Sequence, residues 1–316
     1  MKNPLTVVMP MRDPGRFLEP AVASVLRSAG SLDVELLVID DGSTDGSRQA
    51  LARMADTRIR VIDGPRAGIA AAMNLGFAEA RGAIVMRCDS DDLFAEDRIP
   101  RQLDWLAAHP RHIAVCGPFS TIDANGRPVA MLASRHDQAS HVEALLLEGS
   151  LSTSLCTFAI RADAARRVGG FRPYFVTAED IDFTLRLAAI GSIGWLPGST
   201  YAYRLHGASS THTQPSNLRR FFEAAARSMS RERLHTGSDA LMRGEAPNPP
   251  ARGDVVDGAG KHIASLLVGE AWRLHARGER ARALAAAAAA LRAHPTSLDA
   301  WKAVALVPLK RSSSRA

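Results

Sequence analysis

One stretch of the chain reads Gly82-Ala83-Ile84-Val85-Met86-Arg87-Cys88-Asp89-Ser90-Asp91-Asp92, an apolar run followed by three carboxylates. Residues 82–86 have the composition of a short buried strand, so the acids lie where that strand ends. Carboxylates this close repel one another unless a positive charge lies among them. A Mg²⁺ or Mn²⁺ ion, bound by oxygen ligands and shared with a substrate's phosphates, would resolve the repulsion. The alternative for an isolated motif is a solvated acidic turn.

The acidic stretch ends a regular alternation of predicted strands and helices. The strands are predicted at residues 6–9, 34–39, 58–62 and 82–86, and the helices at 17–29, 45–55 and 68–80. This order predicts an α/β fold with a mostly parallel sheet and helices on both faces. Residues 34–39 are almost continuously apolar, as expected of a parallel strand that is buried on both faces.

Acidic residues follow three of these predicted strands. Asp13 follows the first strand, Asp40-Asp41 the second and Asp89-Ser90-Asp91-Asp92 the fourth. In an open α/β sheet, ligands bind beyond the carboxyl ends of the strands. Three acidic sites at one edge therefore predict a ligand site there, rather than three unrelated turns.

The 316-residue chain changes character near residue 216. Mixed strands and helices predict one domain over residues 1–216, whereas residues 217–316 are predicted to form a helical C-terminal region. A Pro- and Gly-rich connector is expected at residues 244–260. Three short helices are predicted after the connector, at 262–276, 279–293 and 297–306.

The two regions also differ in charge. Residues 1–216 carry 22 Lys and Arg against 24 Asp and Glu, a net charge of −2, whereas residues 217–316 carry 17 against 9, a net charge of +8. A basic region of this kind predicts contact with an anionic membrane face or an acidic protein partner. Nucleic acid is not an expected ligand.

The three cysteines are scattered and form no C-x-x-C pair, which predicts reduced thiols rather than disulfides or a zinc site. The chain has no apolar run long enough to span a bilayer, and the apolar run near its start is too short for a signal peptide. These features predict a cytoplasmic protein, with the basic region as a candidate contact with the inner face of the membrane.

Seven short pieces occur in a fixed order: Val7-Val8-Met9-Pro10, Leu37-Val38-Ile39-Asp40-Asp41-Gly42-Ser43-Thr44-Asp45, Asn74-Leu75-Gly76, Asp89-Ser90-Asp91-Asp92, Val168-Gly169-Gly170-Phe171, Ala178-Glu179-Asp180-Ile181-Asp182-Phe183 and Tyr203-Arg204-Leu205-His206. Each piece is a weak signal by itself. In this order and spacing they resemble the family 2 glycosyltransferases, inverting enzymes of the GT-A fold that use nucleotide-sugar donors. The resemblance covers roughly residues 4–212.

The resemblance implies a donor-binding set made of Pro10, Asp13, Asp41, Asn74 and Asp89. Asp41 matches the family acid that receives the nucleotide base or ribose, and a carboxylate at a strand end suits the N–H of a base. The alternative is that residues 40–43 are only a polar turn into a helix.

The resemblance also implies a metal site. Asp89 and Asp91 match the family's D-x-D motif, which implies that Asp91 binds Mg²⁺ or Mn²⁺ and that Asp89 binds the metal or the ribose. Asp92 is a substitute ligand. His206 matches the family histidine near the metal, although a single histidine after a strand can equally be polar surface. The ion would neutralise the diphosphate leaving group as a Lewis acid.

Asp180 matches the catalytic base of the family's E-D pair, which here is Glu179-Asp180. Acidic neighbours such as Glu179 and Asp182 are expected to raise the pKa of Asp180. Residues 177–180 also resemble a capping box that opens a helix. Both roles are compatible, because a helix start is a rigid place to mount a carboxylate.

The implied reaction moves a sugar from a nucleotide-diphosphate donor to an acceptor hydroxyl with inversion. A saccharide or lipid-linked acceptor, in bacterial surface polysaccharide or glycoconjugate synthesis, is the expected setting. A non-catalytic nucleotide-sugar-binding module and a Mg²⁺-dependent phosphoryl-transfer domain are the alternatives. Phosphoryl-transfer sites require a nearby lysine, and the chain has none between Lys2 and Lys261.

Overall fold

The computed structural model describes residues 5–132, 142–149, 151, 153–207, 215–251, 253 and 259–309. The strands in this part of the chain are β1 (Leu5–Met11), β2 (Val34–Asp40), β3 (Ile59–Asp63), β4 (Ile84–Arg87), β5 (Leu93–Phe94), β6 (Ala114–Cys116), β7 (Phe119–Asp123), β8 (Pro128–Leu132), β9 (Ala159–Arg161), β10 (Ile193–Trp195) and β11 (Tyr201–Leu205). The α-helices are α1 (Leu18–Ala29), α2 (Ser47–Met54), α3 (Ile69–Glu79), α4 (Arg98–Ala108), α5 (Val142–Glu148), α6 (Ala162–Val168), α7 (Glu179–Ala188), α8 (Ser216–Thr236), α9 (Ala259–Ala276), α10 (Arg280–Ala293) and α11 (Leu298–Leu306).

The central sheet has seven strands in the order β10-β6-β9-β4-β1-β2-β3. Strands β4, β1, β2 and β3 are mutually parallel, as the β-α-β alternation predicts. Strand β9 is antiparallel to both of its neighbours, β4 and β6. The predicted α/β fold with a mostly parallel sheet is confirmed.

Side chains alternate between the two faces of β1 and so build two cores. Val7 and Met9 pack in the cluster that contains Val22 and Val25 of α1. Val8 packs on the opposite face, in a cluster that contains residues of α3 and α7. A side chain at Gly76 of α3 would collide with Val8, so the glycine of the Asn-x-Gly piece lets this helix lie close to the sheet.

The chain divides into two compact units. The first comprises residues 1–119, 133–203 and 219–250, and the second comprises 120–132, 204–218 and 251–316. This division differs from the predicted boundary at residue 216, because most of α8 belongs to the first unit. Within that unit, Tyr174 packs edge-to-face on Phe222 of α8 and its hydroxyl donates a hydrogen bond to the carbonyl of Pro247 at 2.6 Å.

The second unit contains the three predicted C-terminal helices, found as α9, α10 and α11. Their interface is built from small buried side chains: Ala264, Ala271, Ala283, Ala287, Ala290, Ala300 and Ala303. Part of the predicted connector, residues 252 and 254–258, lies outside the described residues. Among the described helices, none combines the length and apolar character needed to cross a bilayer.

Candidate active site

The loops that follow β1 and β2 are tied together by acidic side chains. Asp13, with a left-handed φ of 48°, accepts a hydrogen bond from the backbone N–H of Thr44 at 2.6 Å. Asp45 accepts one from the N–H of Gly15 at 2.7 Å. The carboxylate of Asp13 therefore fixes the shape of this loop. Pro10 precedes the loop as the penultimate residue of β1, in register with Ile39.

Asp41 has one carboxylate oxygen bound and one buried without a partner. Its Oδ2 accepts a hydrogen bond from the N–H of Gly68 at 3.1 Å, and its backbone N–H donates to the carbonyl of Met11 at 2.8 Å. Its Oδ1 is buried and has no hydrogen-bond partner. Gly64 lies so close that a Cβ there would be 2.9 Å from Oδ1. This arrangement suits an N–H donor that arrives with a ligand, because an unpaired buried acceptor costs about 1–3 kcal/mol.

Asn74 is used within the protein. Its Nδ2 donates to the carbonyl of Phe171 at 2.8 Å and its Oδ1 accepts from the N–H of Phe171 at 2.7 Å. Gly170, with φ 73°, leaves room for the Asn74 amide where a Cβ would collide with it. The Asn74-Leu75-Gly76 piece and the Val168-Gly169-Gly170-Phe171 piece thus fix the loop after α6 against α3.

The acidic turn after β4 is held by two side chains outside it. Arg87 binds Asp89 through two hydrogen bonds, from Nε to Oδ1 at 2.6 Å and from Nη2 to Oδ2 at 3.1 Å. The hydroxyl of Tyr201 donates to Oδ2 of Asp92 at 2.6 Å and accepts from the N–H of Asp89 at 3.1 Å. Asp92 is fully buried, so its contact with Tyr201 is structural. Asp91, between them, is half-buried.

The described part of the chain has no cluster of three or more His, Cys, Asp and Glu side chains that could hold a metal by themselves. Mg²⁺ in nucleotide sites is usually bound by one or two carboxylates and by substrate phosphates. The half-buried Asp91 fits that role better than Asp89, whose two oxygens both bind Arg87. His206 directly follows β11 and is half-buried.

Helix α7 begins at the acidic pair. Ala178 is the residue that precedes the helix, with a left-handed φ of 59°, and no side chain caps the helix start. The capping-box interpretation of residues 177–180 is therefore wrong. Asp180 Oδ1 accepts a hydrogen bond from the N–H of Ile181 at 2.9 Å, while Glu179 Oε1 lies 3.6 Å from Nη1 of Arg87. The structure thus brings the Glu179-Asp180 pair and the D-x-D turn together through Arg87.

Burial shifts the pKa values of both acids upward. Burial, together with the charge of Asp180, raises the pKa of Glu179 to about 7, against the opposing effect of Arg87. Burial also raises the pKa of Asp180, while Arg87 and the N–H of Ile181 lower it and Asp89 raises it. The expected direction is correct for Asp180, but its main cause is burial rather than Asp182.

Asp182 instead anchors α7 within the first unit. It is fully buried and binds Arg172 and Arg186. Arg172 also donates to Oδ2 of Asp239 at 2.7 Å, and Asp239 binds Arg233 of α8. This buried network links the start of α7, through Arg172 and Asp239, to α8.

Two residues of this site are absent from the sequence-based assignment. Arg87 has a visible signal, a single arginine at the end of an apolar strand, directly before the acids. Tyr201 has no signal, because its contact with Asp92 joins residues more than a hundred positions apart.

The sequence model described as "Glycosyl transferase family 2" matches residues 6–178, which is more than half of the chain. The fold and this match define a glycosyltransferase of the GT-A type. The chain belongs to glycosyl transferase family 2, as its motifs predict.

Several curated glycosyltransferases are similar to parts of the chain. An uncharacterized glycosyltransferase of Haemophilus influenzae is 30% identical over 139 residues, which are 42% of this chain and 54% of that protein. One from Nostoc sp. is 28% identical over 221 residues, 65% of this chain and 66% of that protein. The chondroitin synthase of Pasteurella multocida is 23% identical over 236 residues, 73% of this chain and 24% of that protein. The chain thus spans less than two thirds of the length of each of these relatives.

Solved structures share the fold. S. aureus TarS 1–349 in complex with UDP-GlcNAc superimposes with a TM-score of 0.59 and 16% identity, over 93% of this chain and 81% of that chain. The mannosyltransferase PcManGT from Pyrobaculum calidifontis, in complex with GDP-Man and Mn²⁺, gives a TM-score of 0.53 and 19% identity, over 96% of this chain and 79% of that chain. At these identities the likeness establishes the fold and nothing finer.

Proposed function

We propose that the protein transfers a sugar from a nucleotide-diphosphate donor to an acceptor hydroxyl with inversion. The observation that carries this proposal is the Arg87 bridge, which joins Asp89 of the D-x-D turn to Glu179 of the acidic pair. The proposed donor-binding motif and the proposed base, Asp180, would thereby be neighbours. The names of the relatives, which include chondroitin and hyaluronan synthases, support a role in bacterial surface polysaccharide or glycoconjugate synthesis.

At the donor end, Asp41 is assigned to the nucleotide. Its buried Oδ1 accepts an N–H of the base, and Pro10 and Asp13 form the loop beside it. Asn74 is assigned to the protein framework rather than to the donor, because Phe171 occupies its amide. Asp89 is assigned to the ribose.

At the diphosphate, Asp91 would hold Mg²⁺ or Mn²⁺ together with the donor. The ion would supply a Lewis acid that neutralises the departing diphosphate. That TarS was solved with UDP-GlcNAc and PcManGT with GDP-Man and Mn²⁺ supports a nucleotide-sugar donor and, from the second, a divalent metal.

At the acceptor end, Asp180 is the base. Its carboxylate takes the proton of the acceptor hydroxyl while that oxygen attacks the anomeric carbon from the face opposite the diphosphate. The bond from the anomeric carbon to the diphosphate breaks, and its electron pair leaves with the diphosphate. Burial assists the step, because a base works best when its pKa is near the working pH. The acceptor is a saccharide or a lipid-linked saccharide.

A panel of nucleotide sugars tests this proposal. The protein is incubated with Mn²⁺ or Mg²⁺ and with UDP-, GDP- and dTDP-linked sugars, and release of nucleoside diphosphate is measured with and without saccharide acceptors. We expect release from at least one donor. Binding without release from any donor would favour the non-catalytic module, and phosphate transfer from ATP would favour the phosphoryl-transfer domain.

A further inference from the structure

Arg87 is a charged residue in a strand that is otherwise apolar. Side chains alternate along a strand, so Arg87 shares a face with Val85, whereas Met86 faces the other way. Val85 packs in the cluster that contains Phe183 of α7, and Met86 packs in the cluster with α1. The guanidinium therefore emerges on the face that α7 covers, where its side chain is 8% exposed.

The guanidinium of Arg87 uses its nitrogens on two different elements. Nε and Nη2 bind the two oxygens of Asp89, which is the planar, two-bond geometry that only arginine provides. The remaining nitrogen, Nη1, lies 3.6 Å from Oε1 of Glu179. One side chain thus sets the separation between the D-x-D turn and the first residue of α7.

The charges around the acidic pair make this contact necessary. Arg87 contacts Glu179 from the end of β4, and Asp89 binds Arg87 from the turn that follows. Cys156, in the 3-10 helix Leu155–Thr157, donates to Oδ2 of Asp89 at 3.5 Å. On α7 itself, Asp182 is engaged by Arg172 and Arg186. Arg87 therefore places a positive charge against both Asp89 and Glu179.

We propose that Arg87 is a positioning residue for the transfer: it holds Glu179, the neighbour of the proposed base Asp180, against the D-x-D turn and places a buried positive charge beside the acidic pair. The proposal rests on the proposed function for its catalytic consequence. It goes further by assigning a role to a residue outside both motifs. An arginine that served stability alone could be replaced without changing the kinetics of the folded variant.

Three variants separate these roles. Arg87→Met removes both the positive charge and the two-bond contact with Asp89. Arg87→Lys keeps the charge but cannot make that two-bond contact. Arg161→Met is the matched control, since Arg161 lies on the adjacent strand β9 and donates to the carbonyl oxygens of His112 and Leu106. An opposite charge within about 4–6 Å lowers a carboxyl pKa by about 1–3.

Two readouts are measured from pH 5.5 to 9.5. The first is the pair of kinetic constants kcat and kcat/KM for the donor found with the panel. The second is the titration of ¹³C-carboxyl-labelled Glu and Asp by NMR, with resonances assigned by Glu179→Gln and Asp180→Asn. For Arg87→Met we expect the titration of the pair and the acidic limb of the rate profile to move up by about one pH unit or more. Its activity at pH 6 then falls by about 10-fold or more relative to wild type and partly recovers at pH 9.

Arg87→Lys is expected to leave the acidic limb of the rate profile at its wild-type pH. Its kcat should fall about 10-fold, because the two-bond contact with Asp89 that fixes the geometry is lost. Arg161→Met should move neither readout. An Arg87→Met protein whose acids titrate as in the wild type would overturn the proposal. If that variant does not fold, an Arg87→Lys protein with wild-type kcat would overturn it. Absence of turnover with every donor would refute the proposed function alone, because the NMR titration needs no turnover.

Discussion

Nη1 of Arg87, at the end of β4, lies 3.6 Å from Oε1 of Glu179, at the start of α7. These residues are far apart in sequence, and the contact joins the two halves of the proposed reaction. In the proposed reaction the D-x-D turn binds the donor and its diphosphate, and the acidic pair binds the acceptor. The ion pair of Arg87 and Glu179 would then help to set the relative position of leaving group and base.

Activity is expected to require a divalent metal held by Asp91. Asp91→Ala should lower turnover by at least about 100-fold, because the charge that develops on the diphosphate loses its stabilisation. Excess chelator should have the same effect on the wild type. Asp97→Ala is the control, since that side chain is 61% exposed and pairs with Arg101. Full turnover in chelator would contradict the metal assignment and leave the fold unaffected.

The pH dependence of stability should report Glu179. Its pKa is about 7 in the folded state against an ordinary 4.5. Between these values the folded state keeps a proton that the unfolded state has released, so stability falls as the pH rises from about 4.5 to about 7. Glu179→Gln removes this loss.

Relative to the wild type, Tm of Glu179→Gln should therefore increase from pH 5 to about pH 7 and then level off. Differential scanning fluorimetry in chelator measures this difference. Glu245→Gln, at a side chain that is 64% exposed, should show none of it. A difference in Tm that is the same at every pH would show that Glu179 is ionised throughout.

The buried network under α7 should be a major source of stability. Asp239 is fully buried and binds Arg172 and Arg233, and its Oδ1 accepts from the N–H of Met242 at 2.9 Å. Asp239→Ala leaves two buried guanidinium groups without this partner, which should lower the free energy of unfolding by about 3–5 kcal/mol. Urea denaturation measures it. Asp299→Ala, which removes an exposed pair with Lys302, should cost less than about 1 kcal/mol.

The basic C-terminal region remains a proposed contact with an anionic membrane face or an acidic partner. Part of its charge is used internally, since Arg243 binds Glu232 and Arg273 binds Glu270. We therefore expect sedimentation with phosphatidylglycerol vesicles at low salt and release near 1 M salt, where the Debye length is about 3 Å. Neutral phosphatidylcholine vesicles are the control. Failure to sediment with the anionic vesicles at low salt would contradict membrane contact.

The sequence predicts the first four strands and three helices to within one or two residues. The reason is local: the apolar runs have the period and length of strands, and the acids mark the strand ends. The antiparallel strand β9 is a different case. Ala159-Ile160-Arg161 is too short for a periodic signal, and its place between β4 and β6 depends on long-range packing.

The candidate site shows the same limit. Motif spacing predicts roles in binding or catalysis for Asp41, Asp91 and Asp180, because carboxylates at strand and helix ends are visible in the sequence, and these roles stay predictions. It assigns Asn74 to the donor, whereas its amide holds a backbone segment 97 residues away. Hydrogen-bond partners at such separations follow from the tertiary fold, which a single sequence does not display.

The central claim is that Asp180 is the base of an inverting transfer. The most direct measurement compares Asp180→Asn with the wild type for two quantities, donor binding by calorimetry with Mn²⁺ and transfer rate with the same donor. We expect unchanged donor affinity and a rate lower by about 10²–10⁴-fold, because the general base is lost while the donor site is intact. Near-normal turnover by Asp180→Asn, with Glu179→Gln inactive, would contradict the claim and give the role of base to Glu179.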